Sequence, residues 1–408
     1  MSLVENGGVT SPKGFKASGV KAGLKRSGAP DMAMIYSESP CIAAGAFTSN
    51  LFAAAPVVFD RERIAAGDRI HAVVINSGNA NACTGQQGLD DARATAEKAA
   101  ALLGCLPTEV MVSSTGRIGV PMPMDIILKG TEMAAKALSE DGGADAALAI
   151  MTTDTRPKSF STRIDVGGVT VTLGGMTKGA GMIAPKLRMA PPQATMLSYV
   201  TTDAAIDVRA LQDALASALD KSYNRITVDG DTSTNDTFVV LANAQAGNRA
   251  IMPGTDEFRL FADALASVAG RLAKEMVKDG EGVSRFVEVN VTGAKSDADA
   301  RVCAEAIANS ALCKTAWFGA DPNWGRILCA AGYCGIEFDP QKTSLDMQGA
   351  PVVRNGMDAG TPESELVKLV SEKEVRIDLD LGSGDGAFTV WTCDLTYEYV
   401  KINADYHT

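Results

Sequence analysis

The stretch Ala190-Pro191-Pro192-Gln193-Ala194-Thr195-Met196-Leu197 lies near the middle of the chain, and the rest of the sequence is best read outward from it. A backbone cut between Ala194 and Thr195 frees a residue that carries both a hydroxyl and an α-amine, a nucleophile with its own base. The run from Met196 to Val200 is apolar with one serine and reads as a strand able to fix such a new terminus. Residues 184–193, proline-rich with two basic side chains and no periodicity, read as a surface loop.

A built-in base suits this chain because histidine is scarce. The only two, His71 and His407, sit at the start of an apolar strand and beside the last residue, outside any nucleophile motif. A free α-amine has a pKa near 7.7 to 8.0, so about a tenth or more of it is neutral at pH 7 and can accept a proton.

Around this centre, helical periodicity is clearest at 91–103, 132–138, 207–219, 256–277, 297–312 and 362–370, each with an acidic or capping residue near its start. Strand-like runs alternate with them at 71–75, 110–113, 168–173, 237–241, 286–292, 374–381 and 388–395. Alternation of this kind predicts a layered α/β architecture with helices covering sheets. With 408 residues, 46% of them hydrophobic, the chain can bury a large core, while 40 glycines and 5% aromatics favour tight turns and small-residue packing.

The net charge of −11 and the lack of Lys/Arg clusters argue against nucleic acid as a partner, and an anionic substrate must be held by local cations. The start MSLVENGG has no basic-then-apolar signal, and no run of 18 apolar residues occurs, so the expectation is no membrane and a cytoplasmic location. The eight cysteines form no C-x-x-C pair and read as reduced, mostly core residues. Cys329 and Cys334 are read as packing, and no metal is expected.

Two motifs look like ligand loops and are read otherwise. Gly382-Ser383-Gly384-Asp385-Gly386 follows a strand but precedes another strand, which is the pattern of a hairpin turn and not of a dinucleotide loop. DGDTSTNDT from Asp229 is acidic and hydroxyl-rich but lacks the twelve-residue calcium pattern ending in Glu.

KGAGMIAP from Lys178 and ATMLSYVTTDA from Ala194 resemble the self-cleaving threonine region of the ornithine acetyltransferase (glutamate N-acetyltransferase) family. GGVTSPKGF, INSGNANACTG, SSTGRIG, MTTDTRPK, DGDTSTNDT, KDGEG, FGADPNWGRIL and YVKINADYHT follow in family order, covering nearly the whole chain. The resemblance implies a helix–sheet–sheet–helix sandwich of the kind shared with self-cleaving aminopeptidases. It also implies cleavage at Ala194–Thr195 into fragments 1–194 and 195–408 that form one fold, and assembly as two of each.

Site residues follow by motif. Thr195 is the nucleophile. Thr115 and Gly116 in SSTGRIG match the oxyanion hole, and in physical terms a strand end followed by Thr-Gly offers a hydroxyl and backbone N–H groups to a developing negative charge. Thr152 (with Thr153 adjacent), Lys178, Thr195, Glu281, Asn403 and Thr408 match substrate-binding positions. Lys178 reads as the charged residue of a Gly-rich turn, and Glu281, flanked by glycines after a long helix, as a carboxylate for a substrate ammonium group. The link to Thr195 is longer than is usual in the family, and Thr195 is its only hydroxyl-bearing residue.

The activity implied is ping-pong transfer of acetyl from N-acetylornithine to glutamate in arginine synthesis, with no resident cofactor and with acetyl-CoA as a possible co-substrate. An N-terminal nucleophile hydrolase, with water as acceptor, is the alternative. An uncut, amino-acid-binding scaffold is a third reading.

Overall fold

The structure, a computed structural model, describes residues 1–187 and 196–405. The chain divides into two compact units. The first holds residues 1–224 and 231–276, and the second holds 225–230 with the chain from Val277 onward.

The first unit carries strands β1 (Ser2–Val4), β2 (Phe15–Val20), β3 (Met32–Phe47), β4 (Ile70–Asn79), β5 (Val110–Arg117), β6 (Lys158–Val166), β7 (Val169–Lys178), β8 (Leu197–Thr202) and β9 (Thr237–Ala242). Its helices are α1 (Ala55–Ala66), α2 (Gly85–Leu103), α3 (Met124–Lys136), α4 (Gly143–Ala149), α5 (Val208–Asp220) and α6 (Asp256–Lys278), the last leaving the unit at Met276. The strands join in the order β1-β6-β7-β8-β9-β3-β4-β5, with β2 also paired to β3.

The long strand β3 makes two half-sheets out of this order. Its first part pairs with β2 and β4, a register shift follows between Tyr36 and Cys41, and residues 42–47 pair with β9. The two halves pack face to face. On one face of β3, β4 and β5, Ala33, Ile35, Val73, Ile75 and Met111 share a buried cluster with Met176, Leu197, Tyr199, Val239 and Leu241 of β7, β8 and β9. The alternate residues Met32, Met34, Ala72, Val74, Val110 and Val112 face outward onto Ala92, Ala96, Ala99, Ile127 and Ala134 of α2 and α3. This period of two is what a strand buried on both faces requires.

The outer face of the other half-sheet meets Tyr223, whose ring lies edge-on to Phe238 and whose hydroxyl pairs with Ser198 at 2.8 Å. It also meets α6, where Leu272 lies close against Gly175. The expected α/β architecture, with helices covering two packed sheet layers, is therefore present.

Helix α5 shows how directly the sequence specifies its element. Asp207 caps it, its carboxylate accepting from the N–H groups of Arg209 (2.9 Å) and Ala210 (3.3 Å). Ala210, Leu211, Ala214, Leu215, Ala218 and Leu219 form its buried stripe. The parallel pairs β4–β5 and β8–β9 are each bridged by a crossover helix, α2 and α5.

The second unit holds β10 (Phe286–Ala294), β11 (Ser344–Met347), β12 (Ala350–Arg354), β13 (Met357–Asp358), β14 (Glu374–Asp380) and β15 (Gly386–Cys393), in the order β13-β12-β11-β14-β10-β15. Its helices are α7 (Asp297–Asn309), α8 (Ala311–Phe318), α9 (Trp324–Gly332), α10 (Glu363–Val370) and α11 (Tyr397–Asp405). Val287, Val289, Val291, Cys303, Ile307 and Ile377 belong to its core.

Three sequence expectations need correcting. The glycine run 382–386 is not a hairpin turn, because β14 and β15 pair with opposite edges of β10 and the run carries the chain across its end. A Cβ at Gly384 would come within 2.5 Å of the Ala294 carbonyl oxygen, so the glycines serve this close crossing.

The helix expected over 297–312 is broken at Ser310, which adopts an extended conformation and turns its hydroxyl to the N–H of Cys313 as the cap of α8. The cysteines are all free, but only Cys41, Cys303, Cys313 and Cys393 are buried, while Cys83 and Cys329 are exposed.

Candidate active site

The blocks INSGNANACTG and SSTGRIG build one end of the half-sheet made by β4 and β5. Asparagines tie the strand ends together. Asn76 Oδ1 accepts from Ser114 Oγ (2.6 Å) while its Nδ2 donates to the Asn79 carbonyl (2.8 Å). Asn79 Nδ2 donates to the carbonyls of Val120 and Pro121, and Asn81 Nδ2 to that of Gly88. These bonds satisfy backbone groups where the ladder ends.

In register, Ser77 pairs with Thr115 and Gly78 with Gly116. Gly116 has φ +132°, and a Cβ there would lie 2.5 Å from the Gly78 carbonyl carbon, so only glycine fits.

From the other half-sheet comes Lys178. It is the last residue of β7 and is buried, at 7% exposure, so the expected Gly-rich turn starts one residue later, at Gly179. Its Nζ donates to Thr115 Oγ1 at 3.2 Å and to Thr152 Oγ1 at 2.8 Å. Thr152, rather than its neighbour Thr153, is thus the threonine whose hydroxyl meets Lys178. Three residues expected from three separate blocks meet at the point where the two half-sheets come together.

Asp154 organises this cluster. Its Oδ1 accepts from Lys158 Nζ (2.7 Å) and from the Gly179 N–H (2.7 Å), and its Oδ2 accepts from the Thr152 N–H (3.0 Å). Burial opposes its charge, but the nearby Lys178 and Lys158 and these hydrogen bonds outweigh burial and hold the carboxyl down to about 2. The sequence reading did not single out Asp154; its signal was an acid and a base four residues apart inside a hydroxyl-rich block.

DGDTSTNDT also contributes. Asn235 Nδ2 donates to the carbonyls of Ser114 (2.7 Å) and Ala80 (2.6 Å), so it fixes the peptide leading into Thr115. Asp236 is fully buried, neither carboxyl oxygen has a hydrogen-bond partner among the described residues, and burial drives its pKa well above the usual range against the weaker pull of nearby Thr48 and Lys178. The Thr237 N–H donates to the Met196 carbonyl (2.7 Å), which anchors the chain just before β8.

In the second unit Glu281 is buried, and its Oε2 accepts from Asn403 Nδ2 at 2.7 Å, with Asn403 on α11. Two expected substrate-binding positions are therefore in direct contact. Ala194, Thr195, His407 and Thr408 lie outside the described residues. His71 is a half-buried strand residue whose Nδ1 lies 2.9 Å from the Ser37 carbonyl, stacked on Tyr36.

A family model described as the ArgJ family matches residues 16–408. The chain belongs to the ArgJ family. One relative, the "Arginine biosynthesis bifunctional protein ArgJ" of Symbiobacterium thermophilum, is 52% identical over 404 residues, which is 98% of this chain and 99% of the relative. The protein of the same name from Caldanaerobacter subterraneus subsp. tengcongensis is 49% identical over 407 residues, 99% of each. Among ArgJ structures, the crystal structure of the Bacillus halodurans protein is 44% identical, covers 52% of this chain and 100% of that chain, and superposes with a TM-score of 0.51.

Proposed function

We propose that this ArgJ-family chain is a glutamate N-acetyltransferase that takes acetyl from N-acetylornithine, holds it as an ester on Thr195 and passes it to glutamate. The observation that carries the reading is the convergence of Lys178, Thr115 and Thr152 in a buried cluster beside the glycine pair Gly78–Gly116. The names of the relatives support arginine biosynthesis as the setting.

The chemistry starts with processing. Thr195 Oγ attacks the Ala194 carbonyl carbon, the C–N bond breaks as the nitrogen takes up the Oγ proton and becomes the free α-amine, and water hydrolyses the resulting ester to an Ala194 carboxylate and the Thr195 hydroxyl. In turnover that amine, when neutral, takes the Oγ proton as Oγ attacks the acetyl carbonyl, and the proton leaves on the ornithine amine. The amine of glutamate then attacks the ester, and Oγ recovers its proton. Each tetrahedral step develops an oxyanion, which the Thr115 hydroxyl and the backbone N–H of Gly116 are suited to receive.

Lys178 supplies the local cation that an anionic substrate needs in a chain of net charge −11. Glu281, with Asn403, is suited to a substrate ammonium group, and Thr408 belongs to the same reading. The relatives are named bifunctional, and in this reading the second acetyl source is acetyl-CoA, a co-substrate and not a resident cofactor. Assembly from two of each fragment and a cytoplasmic location complete the proposal. Eight free cysteines suit a reducing compartment, and among the described residues no helix is long and apolar enough to cross a membrane.

The test is intact mass of wild type and Thr195→Ala, followed by ornithine release with and without glutamate. Two fragments that become one chain in the variant, with release accelerated by glutamate, are expected. An uncut wild type overturns the nucleophile. Release indifferent to glutamate makes water the acceptor and the protein a hydrolase.

A further inference from the structure

Lys25 lies on the loop between β2 and β3, outside every block discussed so far. The loop is fixed by Asp31, a fully buried residue whose carboxylate accepts from the N–H groups of Ala22 (2.6 Å), Gly23 (3.0 Å), Leu24 (2.6 Å) and Lys25 (3.0 Å). Four charge-assisted bonds to one carboxylate leave the Lys25 backbone little freedom. The half-buried side chain is held as well, since Nζ donates to the Pro30 carbonyl at 2.6 Å.

The stem of Lys25 runs across the strand end that carries Gly78. A Cβ placed on Gly78 would sit 3.5 Å from Lys25 Cγ and 3.6 Å from Leu24 Cβ. Gly78 is the register partner of Gly116, and its neighbour Ser77 that of Thr115. Lys25 is therefore one strand away from the pair assigned to the oxyanion, on the same end of the same half-sheet as the group that Lys178 touches. Burial lowers its pKa to about 8 against the pull of Asp31, and the charges of Lys178 and Asp154 are close enough to act on it too.

Two lysines here share a field, and the nearby carboxylates are already engaged: Asp31 with four N–H groups, Asp154 with Lys158, Gly179 and Thr152. Bringing an anion between two cations that repel one another is favourable, and the proposed acceptor brings two carboxylates. Its α-carboxylate is two bonds from the attacking amine and so stays near Thr115, where Lys178 is. The side-chain carboxylate, four bonds from that amine, reaches the next strand, about 5 Å away.

We propose that Lys25 is a specificity residue of the acyl-acceptor step, binding the side-chain carboxylate of a dicarboxylic amino acid. The assignment rests on the acetyltransferase reading above.

The experiment compares processed wild type, Lys25→Met and Lys25→Arg with glutamate and with glutamine, which lacks only the second carboxylate. Acceptor affinity is measured as KM where transfer occurs and as inhibition of ornithine release where it does not. Lys25→Met is expected to weaken glutamate about tenfold, leave glutamine within about twofold, and leave the KM for N-acetylornithine unchanged, with Lys25→Arg recovering most of the loss. Equal weakening of glutamate and glutamine, or an unchanged glutamate KM, overturns the assignment. So does a loss that arginine does not rescue and that tracks a lower melting temperature. A wild type that releases ornithine but never acetylates glutamate overturns the transferase reading itself, visible before any variant is compared.

Discussion

The carboxylate of Asp154 accepts the backbone N–H of Gly179 at 2.7 Å, which locks the peptide after Lys178 to the loop that carries Thr152. The same oxygen holds Lys158, whose side chain is 1% exposed. One buried acid thus sets the position of a lysine it does not hydrogen-bond and neutralises another that it does.

Replacing Asp154 by Asn removes the carboxylate charge that pairs with the buried Lys158 at 2.7 Å, and is expected to cost about 3–5 kcal/mol at neutral pH. The native pKa of about 2 lies below the value near 3.9 for an unfolded aspartate. The stabilisation is therefore present above pH 4 and is lost as pH falls through 2. Thermal unfolding at pH 7 and at pH 2.5 should show the gap between wild type and Asp154→Asn narrowing in acid, and a gap independent of pH would contradict the charge argument.

Lys178→Ala removes the cation that touches both Thr115 and Thr152. We expect kcat/KM for N-acetylornithine to drop at least about tenfold. Unchanged kinetics would remove Lys178 from the site.

Gly116→Ala places a methyl group 2.5 Å from the Gly78 carbonyl carbon at a φ of +132°. The strand ends must part, at a cost of about 1–3 kcal/mol. Because the oxyanion donors move with them, turnover should fall about a hundredfold or more. Circular dichroism melts alongside kcat would separate the two effects, and a fully active variant would place the oxyanion elsewhere.

Asp236 gives the opposite pH signature to Asp154. Its native pKa is raised, so the folded protein keeps a proton that the unfolded chain releases above about pH 4. Stability should then fall with rising pH by up to about 1.4 kcal/mol per unit until the native group ionises. Asp236→Asn lacks that slope, and urea unfolding between pH 5 and 7 should show wild type losing ground to the variant. Parallel curves would mean that Asp236 is ionised in the fold.

The sequence was most legible where one physical signal acts alone. Periodicity and a cap marked α5 to within a residue, because Asp207 and the alanine–leucine stripe need no tertiary partner to be recognised. Helix α7 was misread at its end because Ser310 sits in an apolar-periodic run, and only its hydroxyl's choice of the next helix breaks the pattern. The glycine crossing over β10 was invisible for a different reason: strand order is a long-range property, and two strands separated by five residues look like a hairpin until a third strand is seen between them. In the site, Thr115, Thr152 and Lys178 came from motif resemblance. Asp154, Asn235 and Lys25 serve through backbone groups and neighbouring charges, which leave no mark on spacing.

The strand order has a last consequence for a chain cut before Thr195. Strands β8 and β9 follow the cut, yet β8 lies beside β7 and β9 beside β3, both of which precede it. The daughter polypeptides are then interleaved like the fingers of clasped hands, with two strands of one gripped on either side by strands of the other. Separating them would require breaking the β7–β8 and β3–β9 ladders. A break at that point would leave every one of these strand pairings in place.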